Sequence, residues 1–234
     1  MPRLFLALTV AVLVLSSCNS GDLTKQDIEP DIARSISIAP DDFALLPCKG
    51  ARATDSCIIV AAGGKRILFG APASAMSAID ASDLISLDGV MLFSLRADDT
   101  EGLDTYRNRS WRAGRRSPAL IYGPSGTDKL VAGLNMAFEA SDAITFLEAP
   151  PRGGFTSALL QARTASGSSD LAFDTGDLRI RSQTINGSDL FFDVLYAGQS
   201  VTLVPCREGI ASADKVYSTC GEAFSGDAKF IIRG

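Results

Sequence analysis

The chain has 234 residues, of which 22 are basic and 27 acidic, for a formal net charge of −5. An acidic chain repels polyphosphate, which argues against a nucleic-acid-binding protein. Histidine is absent from the whole sequence, which excludes a serine–histidine nucleophile and every imidazole metal ligand. The length and the 46% share of hydrophobic residues suit a single domain with a sizeable core.

The N-terminus predicts export and lipid attachment. An apolar run from Leu4 to Leu15 follows Arg3, too short for a membrane span but typical of a signal peptide. It ends in "LSSC", which resembles a bacterial lipobox and predicts cleavage after residue 17 and lipidation of Cys18. Several acyl chains give a stable anchor, so we expect membrane attachment in the cell envelope. If the cell has two membranes, Asn19 favours the outer one, facing the periplasm. An ordinary signal peptide is the alternative.

Beyond the signal peptide, residues 18–35 are polar and predict a flexible tether, and residues 36–234 predict the folded domain. "CIIVAAGGKRILFG" indicates a hairpin turning at Gly63-Gly64. "GVMLFS" and "ALIYGP" predict buried strands. Residues 127–143 place apolar side chains at helical spacing, with Thr127 as the expected N-cap.

The C-terminal half predicts mainly strands. Residues 149–177 are rich in Gly, Ser, Pro and Thr and indicate a long loop with one short strand, "ALLQAR". "DLRIRSQTI", "LFFDVLYAG" and "QSVTLVPC" alternate with the two-residue period of half-buried strands, and residues 228–234 predict a last strand. Strands and helices in both halves indicate a mixed α/β architecture.

Four cysteines remain besides Cys18. An even number in an exported protein predicts disulfides. Three connectivities are possible, and proximity favours Cys48–Cys57 with Cys206–Cys220. Zinc binding by the four is the rival interpretation, which the absence of a CxxC pair disfavours.

Five segments of the chain occur in an order that resembles metallo-β-lactamase-fold proteins. They are "SCIIVAAGGKRILF", "SLDGVMLFS", "DDTEGL", "RSWRAGRRSPALIYGPSGTDKLVAGLNMAF" and "DLRIRSQTI…FFDVLYAGQSVTLV". The resemblance is nearest to the ribonuclease Z and phosphodiesterase branch and covers residues 46 to 206. It implies an αββα sandwich, shortened at the C-terminus, with a two-metal hydrolase site at one edge of the two sheets.

The metal motif implied by the resemblance is degenerate here. The HxHxDH positions fall on Ser94, Arg96, Asp98 and Asp99, so only Asp98 matches. Arg96 puts a permanent cation where a neutral ligand belongs. Two further ligand positions fall near Asn186 and Cys206. Because these ligands are lost together, the resemblance implies a domain without metal, cofactor or hydrolase activity, in which Arg96 pairs with Asp98 or Asp99.

The interpretation we favour is therefore a lipid-anchored pseudoenzyme that binds a protein partner or small ligand at the degenerate cleft. The alternative is a divergent metal-dependent hydrolase or phosphodiesterase that uses a cluster of Asp98, Asp99 and Glu101, carboxylates suited to a hard cation. The basic run "RNRSWRAGRR" around Trp111 indicates either a solvated helix face or a surface for an anionic ligand.

Overall fold

The computed structural model describes residues 39, 41–185, 187–207, 216–220 and 230–231. All of them belong to one compact unit, Ile38–Gly234. The predicted signal peptide and tether, with Cys18, lie outside the described residues, and so does Asn186.

The described chain alternates strands with helices up to residue 158 and continues almost entirely as strands. The strands are β1 Phe43–Pro47, β2 Ile58–Ala62, β3 Lys65–Phe69, β4 Gly89–Met91, β5 Ala119–Gly123, β6 Leu160–Thr164, β7 Ser169–Asp174, β8 Leu178–Ile185, β9 Asp189–Tyr196, β10 Gln199–Val204, β11 Val216–Ser218 and β12 Phe230–Ile231. The helices are α1 Ala73–Ala78, α2 Ala81–Ile85, α3 Ala97–Thr100, α4 Leu103–Arg112 and α5 Thr127–Glu148, with a 3₁₀ turn at Phe155–Ala158.

The described strands form two sheets. The first has seven strands in the order β12-β1-β2-β3-β4-β5-β6, and the second has five in the order β11-β10-β9-β8-β7. From β3 to β6 neighbouring strands of the first sheet run parallel, so helices must connect them. In the second sheet β7 to β10 form an antiparallel meander, to which β11 adds a parallel strand.

Two hydrophobic cores lie on the two faces of the first sheet. In β2, Ile58 and Val60 point toward the second sheet, while Ile59 between them belongs to the core that faces the helices. Strands buried on both faces read as continuous apolar runs, which explains the sequence of β2 and of the last three residues of β3. At the centre of the inter-sheet core, the Phe192 ring lies 5.2 Å from Phe69 and 5.4 Å from Phe93, both edge to face.

Most predicted elements are confirmed. The hairpin pairs Ala62 with Lys65 across the two glycines, which have φ of +58° and +71°, a conformation that favours glycine. The long helix is confirmed and extends to Glu148, but Thr127 is not its N-cap. Gly126 has a φ of +100° and begins the helix one residue earlier, and the Thr127 hydroxyl donates to the Pro124 carbonyl.

The region 149–177 is more regular than predicted, because a second strand, β7, forms in it in addition to the expected β6. The mixed α/β class with two packed sheets is confirmed by the strand pairings. Helices cover one face of the first sheet and the second sheet covers the other. Among the described residues no helix covers the outer face of the second sheet, so the observed layers are α-β-β.

Candidate functional site

Arg207 is the centre of the candidate site. Its Nη2 lies 2.6 Å from Asp99 Oδ2, its Nη1 3.3 Å from Asp98 Oδ2, and its Nε 3.2 Å from Asp189 Oδ2. Nη2 also donates to the Ser94 hydroxyl at 2.8 Å. We call Arg207, Asp98, Asp99, Asp189 and Ser94 the arginine–carboxylate cluster. Each nitrogen of the guanidinium thus has an oxygen partner, in a planar fork suited to carboxylates.

Both sheets contribute to the cluster. Ser94 follows β4 of the first sheet, and the two neighbouring aspartates lie in the first turn of α3. Asp189 begins β9 of the second sheet, and the Leu190 amide donates to the Phe93 carbonyl at 2.7 Å. Arg207 comes shortly after β10 ends. The cluster therefore lies at the ends of interior strands of both sheets, where the two packed sheets meet, and this is where the resemblance predicts the metal site.

The Cys206–Cys220 disulfide holds the segment that carries Arg207. This bond and Cys48–Cys57 are both present, as the cysteine spacing predicted. The Cys206 amide also donates to the Ser56 hydroxyl at 2.9 Å, and Ser56 pairs with Cys220 as an isolated bridge. Since the sulfur of Cys206 is engaged in the disulfide, it is not available as a metal ligand.

Asp99 is the most buried member of the cluster, with no exposed surface. The Ser94 hydroxyl donates to its Oδ2, the oxygen that also meets Arg207, and its Oδ1 has no hydrogen-bond partner among the described residues. Burial raises the pKa of the Asp99 carboxyl above its ordinary value, and it outweighs the lowering by Ser94 and by the charge of Arg207.

For Arg207 the neighbouring charges together have a larger effect on the pKa than burial has. Burial disfavours the charged guanidinium, but the negative charges of Asp99, Asp189 and Asp98 outweigh it and raise the pKa of Arg207. Its side chain is only 14% exposed. A permanent cation is thus fixed among three carboxylates at the edge of the sheets.

The predicted partners of Arg96 are wrong. Arg96 Nη2 lies 3.5 Å from Asp189 rather than against Asp98 or Asp99, and 56% of its side chain is exposed. Its amide donates to Ser94 Oγ at 3.1 Å, so the backbone at Arg96 closes the loop after β4. Arg207, which is fixed by the disulfide and approaches from the second sheet, takes the contacts with the two aspartates of α3 instead.

The three carboxylates of the alternative acidic cluster meet different partners. Asp99 is buried against Arg207, Asp98 is 45% exposed, and Glu101 lies 3.4 Å from Arg52. No group of three or more Cys, Asp or Glu residues in the described part of the chain is arranged to hold a metal ion. The donors at the ligand positions, a hydroxyl and carboxylates already paired with arginine, do not fit the two-metal centre that the resemblance implies.

Two residues of the site were missed in the sequence. Asp189 lies three residues beyond Asn186, and Arg207 directly follows Cys206, the two positions to which the resemblance assigned ligands. An Asp at the start of an apolar strand and an Arg beside a disulfide cysteine are the available signals. Neither indicates a contact with residues 94–99, because the packing of the two sheets on each other brings these segments together.

Arg107 and Arg115 of the basic run are internal structural residues, whereas Arg112 and Arg116 are exposed, so only part of the run is a solvated face. Trp111 is fully buried, and so is Arg107, which forms a two-pronged ion pair with Asp142 of α5. Arg115 is also buried, and burial lowers its pKa. It donates to the Ser110 hydroxyl at 3.0 Å and to backbone carbonyls. These cations therefore join α4 to α5 and to the segment before β6.

Comparison with known proteins gave structural likeness only. No protein-family model and no curated protein sequence matches the chain. Human tRNase Z, short form, is 14% identical with a TM-score of 0.49, over 69% of this chain and 68% of that one. The metallo-β-lactamase-fold protein YhfI from Bacillus subtilis is 10% identical with a TM-score of 0.48, over 72% of this chain and 65% of that one. A diphosphatase of the PhnP family is 11% identical with a TM-score of 0.47, over 69% and 64%.

The chain thus spans less than two thirds of the lengths of the last two structures. At these identities and TM-scores the likeness is to the fold alone and carries no argument about substrate or activity. The two-sheet architecture rests on the strand pairings described above, and the chemistry of the site rests on its own residues.

Proposed function

We propose that this protein is an exported lipoprotein of the cell envelope whose metallo-β-lactamase-type domain works without metal and without hydrolysis. It binds a protein partner or small ligand and is a pseudoenzyme of a hydrolase family. The observation that carries the proposal is the position of Arg207. Its guanidinium makes ion pairs with Asp98, Asp99 and Asp189 at the sheet edge where the resemblance implies metal ions.

Electrostatics supports this proposal. Arg207 already places a positive charge in contact with Asp98, Asp99 and Asp189. Two unit charges at 4 Å interact by about 1 kcal/mol in water and about 4 kcal/mol near a protein surface, and a dication doubles these values. A metal ion entering the cluster would therefore meet the repulsion of Arg207 and find its carboxylates engaged. The guanidinium cannot release its proton to make room.

The exposed rim of the cluster is the proposed contact surface. Arg96 and Asp98 have 56% and 45% of their side chains exposed, and both are tied to the buried part through Asp189 and Arg207. A rim of fixed charges over a rigid ion-pair network suits a polar partner or a small charged ligand. Nucleic acid is not expected, because the chain is acidic overall.

Elemental analysis and activity assays test the proposal directly. We expect purified protein, prepared without chelators, to contain no stoichiometric zinc, manganese or iron. It should not hydrolyse β-lactams, thioesters, phosphodiesters or RNA. Arg207→Ala should lower stability without creating turnover, because Ser94 and Arg96 still replace two ligands. Arg116→Ala is the matched control, since Arg116 is exposed and outside the cluster.

One or two tightly bound transition metals per chain, with chelator-sensitive turnover of any of these substrates, would overturn the proposal. If that turnover were lost in Asp98→Asn and Glu101→Gln, the divergent hydrolase would be the correct alternative.

Lipid attachment has a separate test. Cells that express the chain should incorporate labelled fatty acid into it, and Cys18→Ala should accumulate as unlabelled precursor, because the thioether can form only at that cysteine. A Cys18→Ser variant should behave like Cys18→Ala. Labelling that persists in both variants would contradict the anchor while leaving the assignment of Arg207 untouched.

A further inference from the structure

The outward face of α5 is apolar and exposed along its whole length. Its side chains recur at the spacing of one helix face. Met136 is 73% exposed, Ile144 57% and Leu147 83%. We call this face the outer stripe, and it consists of Gly133, Met136, Ala137, Ala140, Ile144 and Leu147. By length and composition α5 is apolar enough to cross a membrane, yet it packs against β5 and β6 on its other side.

The inner face of α5 is apolar as well, because Val131 is buried and Leu130 and Leu134 pack against the core that faces the helices. Asn135 exchanges two hydrogen bonds with the backbone of Leu160, and Asp142 forms the buried ion pair with Arg107. An ordinary surface helix is apolar only on its inward side, and a helix that is apolar all round is normally covered. A contiguous exposed apolar face marks a contact surface. The composition of α5 therefore indicates that another molecule covers the outer stripe.

Gly133 provides a second, independent indication. A Cβ built on this residue meets nothing within 4 Å, so the chain itself has room for alanine there. Glycine in the interior of a helix lowers its stability relative to alanine. The fold thus gains nothing from Gly133 among the described residues. A glycine does allow a second helix to approach closely, because the distance between packed helices depends on the side chains at the contact.

We propose that the outer stripe binds the α5 helix of a second copy of this chain, antiparallel and about a twofold axis. In that arrangement Gly133 lies opposite the partner's Ile144, and Ala137 lies opposite the partner's Ala140. Lys129 then faces the partner's Glu148, and the symmetry repeats each contact. A small residue thus lies at each of these contacts, and the exposed basic end of each stripe meets the acidic end of the other.

Charge decides against a lipid surface as the occupant. Helices that lie on membranes carry Lys and Arg beside the apolar face and are drawn to anionic lipids. The residues beside the outer stripe are mainly acidic, namely Asp128, Glu139 and Glu148, with Lys129 as the basic exception. These carboxylates would be repelled by an anionic bilayer, whereas the antiparallel pairing uses Glu148 and Lys129 against each other.

The size of the surface sets the expected affinity. A helix of 22 residues is about 33 Å long, so the stripe covers only a few hundred Å², less than the roughly 800 Å² per partner of a standard interface. We therefore expect a reversible dimer with a Kd on the order of micromolar. Sedimentation equilibrium of the full chain in density-matched detergent, from about 1 to 100 µM, covers this range.

Ala140→Glu places a charge at the centre of the stripe and should weaken the dimer at least tenfold. Ser141→Glu is the matched control, because Ser141 is exposed and about 100° around the helix from Ala140. A chain that stays monomeric across the concentration range, or a dimer equally insensitive to both variants, overturns the proposal. So does monomeric chain with binding to phosphatidylglycerol vesicles that Ala140→Glu abolishes.

Gly133→Ala tests whether Gly133 lies at the interface. The variant should stabilise the monomer and at the same time weaken the dimer. The added methyl group should raise the Tm of the monomer, since it stabilises the helix and meets open space. In the dimer it meets the partner's Ile144, so the Kd should rise about tenfold. If the Tm rises and the Kd is unchanged, Gly133 does not lie at the interface.

Charge reversal tests the antiparallel register. Lys129→Glu and Glu148→Lys should each weaken the dimer about fivefold or more, because each breaks both symmetry-related ion pairs. The double variant restores them with opposite polarity and should regain the wild-type Kd. A double variant weaker than either single variant contradicts the antiparallel arrangement.

Discussion

The molecule contains two arginine–carboxylate sites of different kinds, one in the helical layer and one at the edge of the sheets. Arg107 meets a single carboxylate, Asp142, and both side chains are almost completely buried, at 0% and 4% exposed. Arg207 meets three carboxylates, and Arg96 approaches one of them from outside. The first site is a balanced pair that joins two helices. The second has more negative than positive charge, as a cation site does, and it opens to solvent.

The two sites differ in charge balance, since one is a matched buried ion pair and the other has unmatched carboxylates. Burying two opposite charges is tolerated when they are matched one to one and hydrogen-bonded. An excess of carboxylates around one cation leaves uncompensated repulsion. In this chain the pKa of Asp99 is raised despite contact with Arg207, mainly because the carboxyl is buried and to a smaller extent because of the charge of Asp98.

The largest expected effect is at the balanced pair. Arg107→Ala leaves Asp142 as a buried, unpaired charge and should lower the free energy of unfolding by about 3–5 kcal/mol, as measured by denaturant titration. Arg112→Ala removes a neighbouring exposed arginine and should change it by less than about 0.5 kcal/mol. Replacing both charged residues with apolar ones, by combining Arg107→Met with Asp142→Leu, should restore most of the loss. Equal losses in the single and double variants would refute the balanced-pair interpretation.

The disulfide beside Arg207 should have the next largest effect. Cys206 and Cys220 are 14 residues apart, and the chain entropy of such a loop corresponds to about 3 kcal/mol, slightly more than for the 9-residue separation of Cys48 and Cys57. We expect the double alanine variant at 206 and 220 to lose clearly more than the one at 48 and 57, because it also releases Arg207. If the two losses in the free energy of unfolding differ only by the difference in loop entropy, the disulfide does not position Arg207.

Arg207→Met should lower the free energy of unfolding by about 1–3 kcal/mol at neutral pH, because Asp99 is left buried with an unsatisfied charge. Arg207→Lys keeps the positive charge but loses the planar, forked arrangement of donors. It should lower the free energy of unfolding less than Arg207→Met does. Combined with loss of the Cys206–Cys220 disulfide, the effect of Arg207→Met should shrink, since the two changes remove the same contact. Strict additivity would contradict that coupling.

The smallest expected effect is the pH dependence of the free energy of unfolding that Asp99 causes. The pKa of Asp99 in the folded state lies above its ordinary value of 3.8, so the folded protein binds this proton more tightly than the unfolded chain. Its contribution to stability is therefore full below about pH 4 and is lost as the pH rises through the folded pKa. Unfolding titrations of wild type and Asp99→Asn should give a difference curve with that sign.

Asp55 provides the opposite control. Burial opposes its charge, but hydrogen bonds from Arg52 and Ser74 prevail and lower the pKa of Asp55. Its contribution is present above the ordinary pKa and is lost as the pH falls. The difference curve for Asp55→Asn should slope the other way, and equal slopes for the two variants would contradict the assignment of Asp99.

Local patterns predicted most of the fold. The Gly63-Gly64 turn fixed the β2–β3 hairpin, and the helical spacing after Gly126 predicted α5, because these signals depend on neighbours in sequence. The strand β7 was missed because Ser169–Asp174 lies in a segment rich in turn-forming residues and is ordered by its pairing with β8. The basic run was misinterpreted because burial of Arg107 depends on Asp142, 35 residues away.

The sequence alone excludes imidazole ligation of a metal, because the chain has no histidine, and the resemblance predicts two ligand positions at Ser94 and Arg96. Among three possible connectivities the sequence also favoured the two disulfides that form, since short separations favour closure. Only the tertiary structure decided which cation meets Asp98 and Asp99. Arg96 is nearer in sequence, but Arg207 is held by its disulfide and by the packing of the second sheet on the first. A contact between residues more than one hundred positions apart depends on the packing of whole sheets, which no local pattern in the chain records.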